Sequence, residues 1–317
     1  MDEADSGLPV LYLMGPTASG KTQLAVKLGQ FLPVDIISVD SAMVYKGMDI
    51  GTAKPPADVL AIAPHRLIDI CDPAETYSAA RFCSDAGKEI NAIRSSGRLP
   101  LLVGGTGLYF RSLEQGLSEL PAADQETRQR LEDQARALGW GKMHARLAEI
   151  DPIAAGRIHP NDPQRIQRAL EVYELTGTTL TEHFSGRETS ALPYRIIKMI
   201  TCPADRHFLH DRIRQRFYEM LDRGLVSEVD KLYQRGDLHS GLPAMRMVGY
   251  RQVWKYLAGQ LDSQDMIDHA IVATRQLAKR QLTWLRREAD SQWFDSRQPD
   301  QVDNLLKYIK NIDKKTY

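Results

Sequence analysis

Cysteine is scarce in this sequence, and the three present, Cys71, Cys83 and Cys202, are odd in number and far apart. That spacing excludes a disulfide framework and the paired ligands of a zinc site, and suits a reducing compartment. The eight histidines form no metal-ligand pattern, and His65 in APHRL and His159 in RIHPNDP read as loop residues. Net charge is lacking too: 41 Lys and Arg balance 41 Asp and Glu. Any nucleic-acid surface must therefore come from local segregation of charge. No apolar run approaches the ~20 residues that cross a bilayer. The start, MDEADSGLP, is acidic, without the basic opening of a signal or transit peptide. A cytoplasmic protein with no membrane partner is expected.

What is present suits an ordinary folded protein: 317 residues, 43% apolar and 26% charged, enough for one large or two small domains. LPVLYLM (8–14), PVDIISVD (33–40) and LPLLVGG (99–105) read as strands, and TQLAVKLGQFL (22–32) and YSAARFCSDAGKEINAIRSSG (77–97) as helices. Strands alternating with helices at these lengths predict a parallel sheet covered by helices. From 121 the chain becomes helical and charged, and RIIKMITCP (195–203) brings an apolar strand back. The expected organisation is an α/β core from 1–120 and 191–317, interrupted by a helical insertion at 121–190. Three further helical stretches follow residue 205, and KYIKNIDKKTY reads as a polar tail.

The first strand runs into GPTASGKT, the loop Gly15, Pro16, Thr17, Ala18, Ser19, Gly20, Lys21 and Thr22. Glycines at both ends allow close backbone approach, successive N–H groups and the following helix N-terminus surround an anion, Lys21 adds a cation, and Thr22 is placed for magnesium. The fold class is therefore α/β, a P-loop NTPase-like parallel sheet flanked by helices with a helical insertion domain. Taken alone, the loop points to ATP binding.

Asp40 ends the second strand, where open α/β sheets place ligands; an isolated Asp there would read as a cap on the next turn, but beside a phosphate loop a proton acceptor or a water-mediated magnesium contact is favoured. The third strand ends in Gly104-Gly105-Thr106-Gly107, with no acid where a P-loop ATPase carries its magnesium-binding Asp. That disfavours a motor or switch. Basic residues cluster at Arg165 and Arg168, at Arg212, Arg214 and Arg216, at Arg246 and Arg251 around Gly249-Tyr250, and at Arg275, Lys279, Arg280, Arg286 and Arg287. Solvated helix faces account for one such run; four in a neutral protein point to a phosphate-rich polymer. An Arg in DRIRQRF also suits the phosphates of a small substrate.

Together, GPTASGKT, VDSAMVYKGMDIGTAKP, LLVGGTGLYF, IHPNDPQRIQRALEV, RMVGYRQ and TRQLAKRQLTWLR resemble the tRNA dimethylallyltransferase (tRNA isopentenyltransferase) family in its bacterial form, in order from about residue 10 to 290. The resemblance implies transfer of a prenyl group from dimethylallyl diphosphate to N6 of the adenosine immediately 3′ of a tRNA anticodon. The P-loop would then hold a leaving diphosphate, assisted by Lys21, magnesium at Thr22, and Arg216. Asp40 would accept the amine proton and Thr106 would orient the same site. The anticodon stem-loop would be met by Asp40, Ser41, Ala42, Met43 and Thr106. The insertion would add Arg128, Gln164, Arg165, Ile166, Gln167 and Arg168. Arg246, Gly249, Tyr250 and Arg251 would follow, then Lys279, Arg280, Gln281, Trp284 and Arg286. The zinc-finger extension of longer eukaryotic relatives is not expected, and the chain is expected to act as a monomer. The competing readings are a P-loop kinase for a small metabolite, with Asp40 as base, and an RNA-binding nucleotide switch.

Overall fold

All five residues of Val10–Met14 are buried, and they divide by parity between two cores. Val10, Tyr12 and Met14 belong to one cluster and Leu11 and Leu13 to the other. This is a strand with both faces covered, the environment of a central strand in a parallel sheet. The computed structural model of the chain describes residues 7–116, 120–185 and 194–314. The acidic start to Ser6, the expected end of the insertion at 186–190, and the last three residues of the C-terminal stretch lie outside them.

Six strands, β1 (Val10–Met14), β2 (Val34–Val39), β3 (His65–Arg66), β4 (Leu99–Gly104), β5 (Ile196–Cys202) and β6 (Ser291–Asp295), form one sheet in the order β3-β2-β4-β1-β5-β6. Every pairing is parallel, so all the carboxyl ends share one edge. Register aligns them closely: Gly104 pairs with Met14 on one side and Val39 on the other. Gly15, Asp40 and Gly105 therefore begin their loops side by side. Gly104 has no alternative in this register, because a Cβ there would lie 2.0 Å from the Val39 carbonyl oxygen.

One face of the sheet is covered by the helix Ala79–Ser95 through Phe82, Ala86, Ile90 and Ile93. The other is covered by Lys21–Leu28, through Leu24, Ala25 and Leu28, and by Gln301–Lys314. This last helix corrects the expected polar tail, since Leu305 and Ile309, one turn apart, bury against the sheet. β6 and β3 are short edge strands without the alternation that marks a strand in sequence, and β3 moves His65 out of the expected loop. Its Nδ1 donates to the Ala63 carbonyl at 2.7 Å.

The chain separates into two compact units, 1–114 with 192–317, and 115–191. The second has its own core of Leu131, Met143, Leu147, Ile166 and Leu170. Three of its helices start from side-chain caps: Asp124 accepts from the Thr127 N–H, Asp151 from Ala154 and Asp162 from Arg165. The longest helix among the described residues, Ser263–Leu285, belongs to the first unit. Among the described residues no helix is long and apolar enough to cross a membrane.

Candidate active site

The phosphate loop is held in shape before any anion arrives. Gly15 packs against β5 so closely that a Cβ would lie 2.4 Å from the Thr201 carbonyl oxygen. Ala18 and Gly20 adopt left-handed φ values of 62° and 90°, turning the loop into the helix Lys21–Leu28. Lys21 Nζ donates to the Pro16 carbonyl at 2.9 Å. Burial pushes its pKa down to about 8, Asp40 opposing that shift and the Arg216 guanidinium reinforcing it. Burial lowers the Arg216 pKa as well, against Asp40 and together with Arg212. Two crowded, destabilised cations mark a place that gains from an incoming anion.

Lys21, Arg216 and Asp40 line one cavity of about 470 Å³. Asp40 caps the turn after β2: Oδ1 accepts from the Ala42 N–H at 2.8 Å and from Met43 at 3.4 Å. Among the described residues Oδ2 has no hydrogen-bond donor, so the cap leaves one carboxylate oxygen for a ligand. Thr106 Oγ1 accepts from the Ser41 N–H at 3.2 Å, tying the loop after β4 to the loop after β2. Thr17, Ala18, Thr22, Ser41, Ala42 and Met43 complete this side of the lining.

The opposite lining comes from the C-terminal helices. Arg206–Asp222 presents Ile213, Arg216, Phe217 and Met220 along one face, and Ser263–Leu285 presents Leu277, Arg280, Gln281 and Trp284. Arg246 and Gly249 reach the same space. The cavity thus joins a cationic floor, one carboxylate and an apolar wall. The apolar residues Ile213, Phe217, Met220 and Leu277 were not candidates from sequence; the i, i+4, i+7 spacing of 213, 217 and 220 reads equally as core packing. Arg212 was a cluster member there, and its Nη1 lies 3.6 Å from where a Cβ on Gly20 would be.

Several candidates lie elsewhere. Tyr250 and Ile166, expected at the RNA, are 0% exposed and packed in the cores of their units. Tyr250 donates its hydroxyl to Glu228, and Glu228 also accepts the N–H groups of Asp49, Ile50 and Gly51, so the pair anchors the DIGTAKP loop. Lys54 of that loop is buried between Asp49 and Asp69. Arg251, Lys279 and Arg286 are exposed and do not line the cavity. In the 115–191 unit, Arg128 and Arg168 both bond the fully buried Glu171 carboxylate. Burial raises that carboxyl's pKa, but bonds from Arg128, Arg168 and the Asp124 N–H outweigh it and hold it below the usual range. Gln164 and Arg165 are exposed there, and Gln167 donates to the Arg128 carbonyl at 3.0 Å.

Magnesium chemistry meets a partial donor set. Among the described residues no group of three or more His, Cys, Asp or Glu could hold a metal. The Thr22 hydroxyl lines the cavity, and the buried Ser19 hydroxyl has no partner among the described residues. This fits an ion held mainly by phosphate oxygens and water with one or two protein ligands.

Residues 43–288 match the family model described as IPP transferase. The chain is similar to the full-length tRNA isopentenylpyrophosphate transferase of Bacillus halodurans, with 38% identity, 96% of each chain covered and a TM-score of 0.71. A tRNA delta(2)-isopentenylpyrophosphate transferase of Staphylococcus epidermidis is 32% identical, with 98% of this chain and 100% of that chain covered and a TM-score of 0.66. A eukaryotic dimethylallyltransferase, whose structures show it acting on tRNA, is 27% identical over 93% of this chain and 76% of its own, with a TM-score of 0.77.

Proposed function

This chain belongs to the IPP transferase family, whose members prenylate tRNA, and on that premise we propose that it transfers a dimethylallyl group from dimethylallyl diphosphate to N6 of the adenosine immediately 3′ of a tRNA anticodon, releasing diphosphate. The observation that carries the reading is the composition of this one cavity, which brings together Asp40, the cations Lys21 and Arg216, and an apolar wall from Ile213, Phe217 and Met220. A prenyl diphosphate needs both of the last two features, and an attacking amine needs the first. The kinase alternative draws no support from the family or from these three structures.

In the proposed reaction the N6 lone pair attacks the allylic carbon bound to oxygen. The carbon–oxygen bond breaks and its electron pair departs with the diphosphate. Lys21 and Arg216 oppose the negative charge growing there, where preorganised cations act most strongly. The new nitrogen–carbon bond makes the amine acidic, and Asp40 takes the proton. Thr106 holds the loop that carries Asp40 through Ser41. Magnesium at Thr22 would supply further neutralisation of the diphosphate when bound. A base paired in a stem cannot present N6 to such a cavity, so the adenine enters flipped out. Exposed Lys279 and Arg280 on Ser263–Leu285 and Arg286 just past its end, with Arg246 and Arg251, offer charge to the RNA backbone; on the helical unit Arg165 does the same and Gln164 offers a neutral amide.

Incubation of the protein with tRNA and radiolabelled dimethylallyl diphosphate, without ATP, is expected to yield labelled tRNA. ATP-dependent labelling of a small molecule, with no prenyl transfer, overturns the proposal.

A further inference from the structure

The side-chain amide of Gln281 bridges the two loops that would hold opposite partners of the reaction. Its Oε1 accepts the Thr17 N–H of the phosphate loop at 2.8 Å, and its Nε2 donates to the Gly105 carbonyl oxygen at 3.1 Å. The reverse orientation would set two donors against each other at Thr17 and two oxygens at Gly105, so the chemistry permits one arrangement. The fit is close enough to dictate sequence: a Cβ on Gly105 would lie 2.4 Å from Nε2. Gly105 precedes Thr106, whose Oγ1 holds Ser41 beside Asp40. At their base the same two loops meet directly, through the Gly15 N–H and the Gly104 carbonyl at 3.3 Å.

We infer that Gln281 is a positioning residue that fixes the separation between the diphosphate held by the phosphate loop and the amine held near Thr106 and Asp40. The inference rests on the prenyl-transfer reading. A displacement at carbon depends steeply on the distance and alignment of nucleophile and leaving group, and here those groups sit on separate loops. Without the tie, each loop still binds its ligand, but their spacing drifts. Among Gln, Met and Glu, side chains of similar length, only the Gln amide both accepts and donates strongly: the Met thioether is at most a weak acceptor and the Glu carboxylate only accepts.

Two variants test this, each measured for turnover, for affinity towards inorganic pyrophosphate by calorimetry, and for melting temperature. Gln281→Met keeps the shape and loses both bonds. Its kcat is expected to fall roughly tenfold to hundredfold, the cost of a misplacement near an ångström, while pyrophosphate affinity and melting temperature stay near the wild-type values. Gln281→Glu retains the acceptor but sets a carboxylate beside the Gly105 carbonyl and the phosphate site, so it is expected to lose pyrophosphate affinity as well as turnover. Wild-type kcat in Gln281→Met overturns the inference. So does a loss of kcat matched by equal losses in pyrophosphate affinity and melting temperature, which would mean general loosening. Failure of the functional reading shows in the wild-type chain alone, as absence of prenyl transfer; failure of the tie shows only in the comparison of variant with wild type.

Discussion

Gly107 and Trp284 are matched across the cavity wall: a Cβ on Gly107 would lie 2.5 Å from the indole ring. The loop after β4 and the helix Ser263–Leu285 therefore approach each other at two glycines, with Gln281 over Gly105 and Trp284 over Gly107. Gly107→Ala is expected to lower stability by about 1–3 kcal/mol through overpacking. Turnover should fall too, because Thr106 lies between the displaced positions. Urea unfolding and steady-state kinetics check both parts.

Asp40→Asn keeps the turn, since an amide oxygen accepts the Ala42 N–H as the carboxylate does. Pyrophosphate affinity should therefore persist while turnover drops by roughly 10²–10⁴, the range for loss of a general base. Unchanged turnover would remove Asp40 from proton transfer.

Lys21 makes anion binding depend on pH. Its pKa in the free protein is lowered to about 8 by burial, against Asp40 and with Arg216. An anion favours the protonated form, so the bound value is higher than the free one. Pyrophosphate affinity should accordingly hold below pH 8 and weaken as the pH rises through it. The same linkage has the opposite sign for the empty fold: unfolded Lys21 binds more protons above pH 8, so its burial penalty is relieved as pH rises. A Lys21→Met variant should show weaker binding and no such pH slope between pH 7 and 9 in calorimetry.

Glu171 is the counter-charge for Arg128 and Arg168 in the helical unit. Glu171→Ala strands both guanidinium groups and should destabilise that unit by about 3 kcal/mol, the low end for a broken buried pair because Arg128 is half exposed. With its pKa held down, the carboxylate's contribution is complete at neutral pH and is lost as pH falls through its folded value. Denaturant titration followed at Trp140, the only tryptophan between 115 and 191, reports on this unit.

Charge reversal at Lys279 and Arg280 should weaken tRNA binding and make the slope of log affinity against log salt shallower by about 1–2, as two phosphate contacts are lost. An unaltered slope would return that face to simple solvation.

The first half of the fold could be read residue by residue because its signals are local. Val10–Met14, the phosphate loop and the helix after it are contiguous in sequence, and the acid at 40 follows its strand directly. What escaped depends on partners far along the chain. Gln281 was expected at the RNA, but its bond to the phosphate loop did not show in RQLAKRQLTW, because Thr17 lies 264 residues away. Tyr250 beside a glycine and two arginines suggested an RNA contact, yet it is buried and its hydroxyl partner Glu228 is 22 residues back. The C-terminal helix was hidden by where its segment was cut: Val302, Leu305, Leu306, Ile309 and Ile312 form one apolar stripe, and starting at Lys307 divides it. The basic clusters had a further ambiguity. Composition cannot tell an arginine neutralised by Glu171 from one left facing solvent, as Arg165 largely is.

The central position of β1 has a consequence for synthesis of the chain. β1 is complete by residue 14, yet one of its two neighbours, β5, begins only at Ile196. The Thr201 carbonyl that packs against Gly15 comes later still. A nascent chain therefore carries its phosphate loop through more than half of translation before the wall behind it exists. Contacts this distant in sequence form late and slowly, and the exposed edge of β1 is the hazard of that interval. Anion binding should consequently appear as a late, all-or-none event during elongation, after β5 has left the ribosome.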